Sequence, residues 1–254
     1  MLTLKERNAG IVINLEKEPT EPKEKITRSK AEKKTEDFKA ELFNLQNLLY
    51  AEHKRSLLII LQGMDASGKD GTVRHVFSSM NPMGINVKPF KVPTEEEMDY
   101  DFLRRVYLNT PAKGMIQIFN RSHYEEILVP SVHKTLSKER IEKRYSIINS
   151  FEENLKDNGT VILKFYLNIS KKEQGRRLKK RLKDPQKKWK YDPADKREAI
   201  SWDAYMKVYE KIFERCGPAI PWFIVPADHK WYRNYFIAKE IVNTLRTLKM
   251  KYPS

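Results

Sequence analysis

Residues 57–72 read LLIILQGMDASGKDGT, and this stretch is the most informative in the chain. The apolar run that ends at Gln62 is typical of a β-strand buried on both faces. It breaks into the segment 63–69, GMDASGK, which has the GxxxxGK spacing of a phosphate-binding loop. Its two glycines permit a tight turn whose N–H groups converge at the start of a helix, where phosphate oxygens bind. A Gly-rich surface turn is the alternative, and the preceding strand argues against it.

The loop and the helix after it supply most of the predicted phosphate and nucleotide contacts. Lys69 is expected to reach the terminal phosphates as a point charge, assisted by the partial positive charge of the helix N-terminus. The predicted contacts here are Gly63, Ala66, Ser67, Gly68, Lys69, Asp70, Gly71, Thr72 and Arg74.

One position departs from the usual pattern. The residue after Lys69 is normally Ser or Thr, whose hydroxyl binds magnesium, but here it is Asp70. Another oxygen must hold the metal, and Asp65 inside the loop is the candidate. Its carboxylate is expected to bind Mg²⁺ or Mn²⁺ beside the phosphates, or to accept a proton from an attacking group. The alternative is a turn-forming Asp65 that bonds to its own backbone.

Length and composition bound the class of protein. A chain of 254 residues with 40% hydrophobic content fits one globular α/β domain. Cys216 is the single cysteine, so no internal disulfide can form, and no run reaches the ~18 apolar residues that span a membrane. The N-terminus lacks the continuous apolar core of a signal peptide. We expect a cytoplasmic protein without a membrane partner.

Positive charge is concentrated in one segment. The net charge is +15, and residues 171–197 contain 13 Lys or Arg against four Asp or Glu. Such an excess fits a polyanionic partner, and nucleic acid, an anionic membrane or polyphosphate would each satisfy it. Its local concentration favours an element that handles anions, although a solvated basic helix is the alternative.

Strand and helix patterns alternate along the chain. Residues 1–39 are rich in Lys and Glu and predict an N-terminal arm, whereas 40–254 predict a single P-loop domain, with a helix over about 33–53 at the junction. The alternation of strands with helices indicates a doubly wound parallel sheet flanked by helices, whose ligands bind at the carboxyl ends of the strands. The predicted strands are 57–62, 85–90, 115–119, 160–167 and 222–225; the predicted helices are 70–80, 96–108, 139–156, 171–183, 198–215 and 232–250.

Polar residues follow the predicted strand 115–119 directly. Asn120 can coordinate a metal through its amide oxygen without adding charge, at the place where a second strand motif normally supplies an acid. Arg121 can bridge phosphates, whose charge spreads during transfer. An ion pair between Arg121 and Glu125 is the alternative. Glu125 would otherwise be a helix first-turn acid.

The basic segment, about 171–197, is predicted to form a helical lid. Arg177 and Arg181 are four residues apart and share a helix face, from which they can close over phosphates and exclude water. Arg176 is also a predicted phosphate or nucleotide contact, but it lies one position off that face, so which arginines point inward stays open. Trp189 could stack on a base or anchor the lid. Near the last strand, Asp228 and Lys230 could contact the nucleotide, unless Asp228 only caps the last helix.

Six motifs, in order, resemble the polyphosphate kinase 2 family. They are GMDASGKDGT at 63–72, KVPTEEE at 91–97, FNRSHYEEILV at 119–129, RLKKRLKDPQKKWK at 177–190, WDAYMKVYE at 202–210 and PWFIVPADHKW at 221–231. The resemblance implies a P-loop kinase that moves phosphate between inorganic polyphosphate and nucleotides, with Glu125 helping to shape the acceptor or metal site. Asn120 stands where many members carry an acid, which implies the subgroup that accepts both AMP and ADP.

These observations predict a polyphosphate:AMP/ADP phosphotransferase that forms ADP and ATP by direct, magnesium-assisted transfer. Lys69, Asp65, Asn120, Arg121, Arg177 and Arg181 are the predicted catalytic residues. An ATP-dependent nucleoside or nucleotide monophosphate kinase is the first alternative, because it needs the same loop and lid. A nucleic-acid-binding P-loop protein is the second, although no binding module supports it. The resemblance also implies a homo-oligomer.

Overall fold

The computed structural model describes residues 13–185 and 198–253, and it confirms an α/β fold built on a parallel sheet. The strands are β1 (Ser56–Gln62), β2 (Ile85–Pro89), β3 (Ile116–Asn120), β4 (Thr160–Asn168) and β5 (Trp222–Pro226). Their order in the sheet is β2-β3-β1-β4-β5, with every pair parallel. The carboxyl ends of all five strands therefore lie at one edge.

Helices cover both faces of the sheet. The helices are α1 (Arg28–Glu52), α2 (Lys69–Val76), α3 (Glu95–Met98), α4 (Arg104–Tyr107), α5 (Glu125–His133), α6 (Lys138–Asp157), α7 (Lys171–Lys183), α8 (Trp202–Cys216) and α9 (Lys230–Thr247). Strand β1 is buried along its whole length. Leu58 and Ile60 pack into a cluster with residues of α5, α6 and α8, while Leu57 and Ile59 join a second cluster with residues of α1 and α9. The alternation of side chains along β1 thus gives the sheet two apolar cores.

Two predicted helices were wrong in extent. The predicted helix 96–108 is two short helices, because the Asp101 carboxylate accepts a hydrogen bond from the Leu103 N–H at 2.9 Å and interrupts the helical pattern. The predicted helix 70–80 ends at Val76, where α2 gives way to a turn. Helix α5 was missed, since Pro130 within it disguises the helical pattern.

Helix α1 crosses the predicted boundary between arm and domain at residue 39. It begins after Thr27, which caps it, and its first turns bury the small residues Ala31 and Thr35. Ala31 packs against Tyr232 and Tyr235 of α9. Small side chains against large aromatic rings give only a weak apolar pattern, which explains why the prediction placed this stretch in an arm.

The segment before α1 runs past the carboxyl edge of the sheet. Leu15 is buried in the core, and the backbone oxygens of Glu18 and Pro19 each accept a hydrogen bond from the Asn168 amide at 3.2 Å. Thr20 accepts another from the Asp228 N–H at 3.0 Å. Both partners follow strand ends, so the segment is fixed beside the edge where ligands are expected.

Within the described ranges, no helix combines the length and the apolar character needed to cross a membrane.

Candidate active site

The phosphate-binding loop lies between β1 and α2. Gly63 has φ 146° and Gly68 has φ 109°, backbone conformations that favour glycine. Ala66 also adopts a left-handed conformation, with φ 63°. The Ser67 N–H donates to the Met64 oxygen at 3.1 Å, which closes the turn. The predicted loop is therefore present, with its backbone bent around the start of a helix, as an anion-binding nest requires.

Lys69 occupies the centre of the loop. Its side chain is buried, and its Nζ donates to the oxygens of Gly63 at 2.6 Å and Met64 at 3.3 Å. Burial and the charge of Arg121 lower the pKa of Lys69 to about 8, although Asp65 and Glu125 oppose the shift. Among the described residues, the ammonium group thus donates to two carbonyl oxygens, which a phosphate oxygen can replace.

Asp65 and Arg121 meet across the mouth of the site. Arg121 Nη2 donates to Asp65 Oδ1 at 2.6 Å. Burial raises the pKa of Asp65, but Lys69 and Arg121 outweigh that effect and hold the pKa below its usual value. Asp65 is therefore a carboxylate near neutral pH, able to bind a cation and unsuited to donate a proton.

The pairing of β1 with β3 explains this meeting. Leu61 is in register with Asn120, and the Arg121 N–H donates to the Leu61 oxygen at 3.0 Å. Arg121 leaves the strand with φ 63°, a left-handed conformation that turns the chain at the sheet edge. Asn120 Nδ2 donates to Asp70 Oδ1 at 2.8 Å, so the two polar substitutions noted in the sequence contact each other.

Glu125 is partly buried near Arg121, Lys69 and Asp65. Burial raises its pKa, while the nearby charges of Arg121 and Lys69 lower it, and the balance leaves the pKa above its usual value. With its amide oriented to satisfy both neighbours, Gln62 donates to Glu125 Oε1 and accepts from Ser122 Oγ, each at 3.1 Å. Gln62 was not predicted as a site residue, although a polar residue at the end of an apolar strand could have indicated that role.

Arg177 does not lie on the open face of a lid. Its Nη1 donates to the Ala66 and Ser67 oxygens at 3.0 and 2.9 Å, and its Nη2 donates to the oxygens of Ala227 and Asp228 at 2.7 and 2.9 Å. Its side chain is almost fully buried. The prediction of Arg177 as a closing lid arginine is corrected: it clamps the back of the loop to the end of β5.

The other lid arginines differ in direction. Arg181 approaches the site, since its charge helps to lower the pKa of Asp65. Arg176 is exposed and pairs with Glu173 at 2.5 Å, so its side chain is held on the outer surface of α7. Trp189 and the part of the predicted lid at 186–197 lie outside the described residues.

The remaining predicted residues surround the loop at different distances. Asp228 does not cap α9; its Oδ1 accepts from the Ser170 N–H at 2.8 Å and so fixes the start of α7. Lys230 opens α9. Thr72 is buried with its hydroxyl bonded to the Gly68 oxygen at 3.2 Å, and Arg74 is exposed on α2. Direct nucleotide contact by Asp228, Lys230 and Arg74 stays a prediction.

Two further residues hold the loop and escaped sequence reasoning. Gln174 Nε2 donates to the backbone oxygen of Asp65 at 3.1 Å, and Arg233 Nη1 donates to the backbone oxygen of Ser67 at 3.3 Å. Gln174 shares one side of α7 with Arg177 and Leu178, all three buried. No signal in the sequence separates Arg233 from the exposed basic residues around it.

The donor set suits a metal held jointly by protein and substrate. In the two described ranges, no three or more His, Cys, Asp or Glu side chains form a metal-binding group. Mg²⁺ commonly binds through one or two carboxylates, substrate phosphates and water. Asp65 supplies one such carboxylate beside the loop, and Asn120 and Asp70 lie at the same edge. The residues present therefore fit a magnesium ion that arrives with phosphate.

Comparisons with known proteins agree with this geometry. Residues 25–253 match the sequence profile of the family described as "Polyphosphate kinase 2 (PPK2)". The chain is 47% identical over 213 residues to an "AMP/ADP-polyphosphate phosphotransferase" of Meiothermus ruber, covering 84% of this chain and 80% of the relative. It is 42% identical over 225 residues to an "ADP-polyphosphate phosphotransferase" of Rhodopseudomonas palustris, covering 84% of this chain and 78% of the relative.

A solved structure extends the similarity to the fold. The structure described as polyphosphate kinase 2 from Arthrobacter aurescens TC1 superposes with a TM-score of 0.94 and 39% sequence identity, covering 97% of this chain and 90% of that chain.

Proposed function

The chain belongs to the polyphosphate kinase 2 family, and we propose that it transfers phosphate from inorganic polyphosphate to AMP and ADP, forming ADP and ATP. The single observation that carries this proposal is the convergence of Lys69, Asp65 and Arg121 on one phosphate-binding loop. Two of these side chains are cations, and the transfer of a phosphoryl group needs positive charge around the moving phosphorus.

Direct in-line transfer fits these residues. An oxygen of the acceptor phosphate attacks the terminal phosphorus of polyphosphate; one P–O bond forms, and the bond to the rest of the chain breaks. The attacking oxygen is already ionised near neutral pH, since the second pKa of a phosphate monoester is about 6. No general base is therefore required, in agreement with the low pKa of Asp65.

The chain's own groups position the phosphates and neutralise their charge. Lys69 and the loop N–H groups hold the donor, and Arg121 faces the group in transfer. Arg181 approaches the same site from α7 and is proposed to complete it on closure. A bound divalent metal would add electrostatic stabilisation of the phosphate oxygens, with Asp65 as its protein ligand and magnesium or manganese as the proposed ion.

The dual acceptor is the finer part of the proposal. It rests on Asn120, which brings no charge to a position where many family members carry an acid. The name of the Meiothermus relative includes both acceptors, whereas that of the Rhodopseudomonas relative includes ADP alone. We also propose a homo-oligomer and a cytoplasmic location, both of which rest on the sequence expectations alone.

One assay tests the proposal. Purified protein is incubated with magnesium, long-chain polyphosphate and either AMP or ADP, with no ATP added, and the nucleotides are separated by anion-exchange chromatography. ADP should form from AMP, and ATP from ADP. A parallel reaction with ATP and AMP tests the alternative of an ordinary monophosphate kinase. Activity with ATP but none with polyphosphate would refute polyphosphate as the donor. Product from ADP but not from AMP would refute only the proposal that both nucleotides are acceptors.

A further inference from the structure

A second arginine is buried behind the phosphate-binding loop. Arg233 lies in the first turn of α9, and only 1% of its surface is exposed. Its guanidinium packs against the loop backbone so closely that a Cβ on Gly68 would lie 1.9 Å from Nη1, and one on Gly71 would lie 3.3 Å from Nη2. These glycines therefore have a second role besides turning the chain, because they admit the guanidinium to the loop's rear surface.

In the part of the chain that the structure describes, the hydrogen-bond partners of Arg233 are neutral. Its Nη1 donates to the Ser67 oxygen at 3.3 Å, and its Nε and Nη2 donate to Asn234 Oδ1 at 3.2 and 2.8 Å. Within residues 13–185 and 198–253, no carboxylate lies at ion-pair distance from it. Arg177, on the same side of the loop, has Glu173 at 2.8 Å.

The charge that acts on Arg233 from the described residues is a like charge, that of Arg177. Burial and the Arg177 guanidinium lower the pKa of Arg233 to about 9. That value lies above neutral pH, so the side chain stays protonated under physiological conditions. A buried cation without a counterion is costly for a folded protein. The hydrogen bonds of Arg233 can hold the loop, but they need only N–H donors, so stability alone gives no reason for a full positive charge here.

An anion on the opposite surface of the loop would supply the missing counterion. Arg233 and the proposed phosphate site are separated only by the backbone at Ser67 and Gly68, and an interior of low effective dielectric transmits the charge across it. We propose that Arg233 is a positioning residue for the donor phosphates, whose buried charge acts through the loop to raise the affinity for bound phosphate and is compensated when phosphate binds. This inference rests on the proposed function only in taking phosphate as the ligand of the loop.

The proposal predicts opposite effects of one substitution on stability and on binding. Arg233→Met removes the charge and keeps much of the packing volume. The free protein should melt at the same or a higher temperature, while the dissociation constant for tripolyphosphate should rise at least about tenfold, because even at about 12 Å a unit charge contributes that much at an effective dielectric of about 20. A residue with a merely structural role would show the reverse pattern.

The experiment compares three variants with the wild type. Melting temperature is measured with and without tripolyphosphate, and binding by calorimetry, for Arg233→Met, Arg233→Lys and the control Arg246→Met. Arg246 lies on the same helix but is exposed and paired with Glu41 at 2.6 Å. Arg233→Lys keeps the charge and should retain affinity within about threefold of the wild type. Arg246→Met should leave affinity unchanged.

Two results would overturn the proposal. One is a lower melting temperature of free Arg233→Met together with wild-type affinity for tripolyphosphate. The other is an equal loss of affinity in Arg233→Lys and Arg233→Met, which would exclude charge as the cause. If the Met variant does not fold, Arg233→Gln replaces it, because an amide can still donate to the Ser67 oxygen. Failure of the proposed function is separate, since it would appear as wild-type protein that uses ATP and not polyphosphate.

Discussion

The rate of phosphate transfer should fall at alkaline pH because Lys69 loses its proton. Lys69 lies in the loop with a pKa of about 8, lowered from 10.5 by burial and by Arg121. Only the ammonium form attracts phosphate. Since kcat/KM reports the free enzyme, kcat/KM for polyphosphate should be halved near pH 8 and reduced about tenfold one unit above it. At saturating donor the bound phosphate stabilises the ammonium, so kcat should begin to fall only at a higher pH.

The lowered pKa of Lys69 also predicts how the free energy of unfolding depends on pH. The direction is opposite to that of a lysine whose pKa is raised by an ion pair in the folded state. The folded state holds the Lys69 proton less tightly than the unfolded state, whose lysine keeps the ordinary pKa of 10.5. Between about pH 8 and 10.5 the unfolded state binds more protons, so the free energy of unfolding rises with pH. A shift from 10.5 to about 8 corresponds to about 3 kcal/mol over that window. Lys69→Met has no such titration.

Two measurements test this reasoning. Initial rates with polyphosphate and ADP are recorded from about pH 6.5 to 9.5 at constant ionic strength, above the range where terminal phosphates titrate at about 6. Urea denaturation at about pH 7 and pH 10 is then compared for wild type, Lys69→Met and the control Lys156→Met, an exposed lysine in the last turn of α6. Lys69→Met should be inactive, and its stability relative to wild type should decline as pH rises. Two results would refute a lowered pKa of Lys69. One is a kcat/KM that does not change with pH, and the other is a stability difference between wild type and Lys69→Met that is equal at both pH values.

Three further predictions concern the buried ion pair of Lys164 with Glu152, the arginines of α7 and the binding of the donor. Lys164→Met removes the ammonium group that lies 2.7 Å from the buried Glu152 carboxylate, which keeps its contacts with His123 and Tyr124. The free energy of unfolding in urea denaturation should fall by about 3–5 kcal/mol, and a loss below about 1 kcal/mol would mean that the pair does not stabilise the core. Arg177→Ala should lower both melting temperature and kcat, whereas Arg181→Ala should lower kcat and lower the melting temperature less than Arg177→Ala does. Equal melting temperatures would contradict the clamp described for Arg177. The KM for long-chain polyphosphate should rise more steeply with salt than the KM for ADP, because each bound phosphate unit releases counterions, and equal slopes would argue against an extended donor.

The strands were the most predictable part of the fold. Strand β4 was predicted over 160–167 and observed at Thr160–Asn168, because an apolar run between a turn and a capping serine has well-marked ends. Helix α5 was missed because Pro130 interrupts its pattern, and 96–108 was predicted as one helix because the Asp101 side chain that divides it looks like an ordinary polar residue. The first error arises because a proline lacks the backbone donor that the helical pattern needs, and the second because a side chain competes with the backbone for a hydrogen bond.

The front of the candidate site was predictable for a topological reason. Asp65, Asn120 and Arg121 follow strands, and parallel strands bring their carboxyl ends to one edge, so a sequence that reveals β1 and β3 also reveals their meeting. The rear of the site had no comparable rule. Arg233 belongs to the last helix, more than 160 positions from Ser67, whose oxygen it contacts. Only the packing of α9 against the sheet brings them together.

Arg177 and Arg181 illustrate the limit of helical periodicity. A separation of four residues places both side chains on one face of α7, and the sequence therefore assigned them one role. The same separation also places them about 6 Å apart along the helix axis, so the two side chains can meet different parts of the loop. Arg177 consequently contacts the rear of the loop and the end of β5, while the charge of Arg181 acts on Asp65. Which side of a loop an arginine serves depends on where the helix starts relative to that loop, and here the contact between Asp228 and the Ser170 N–H fixes that start.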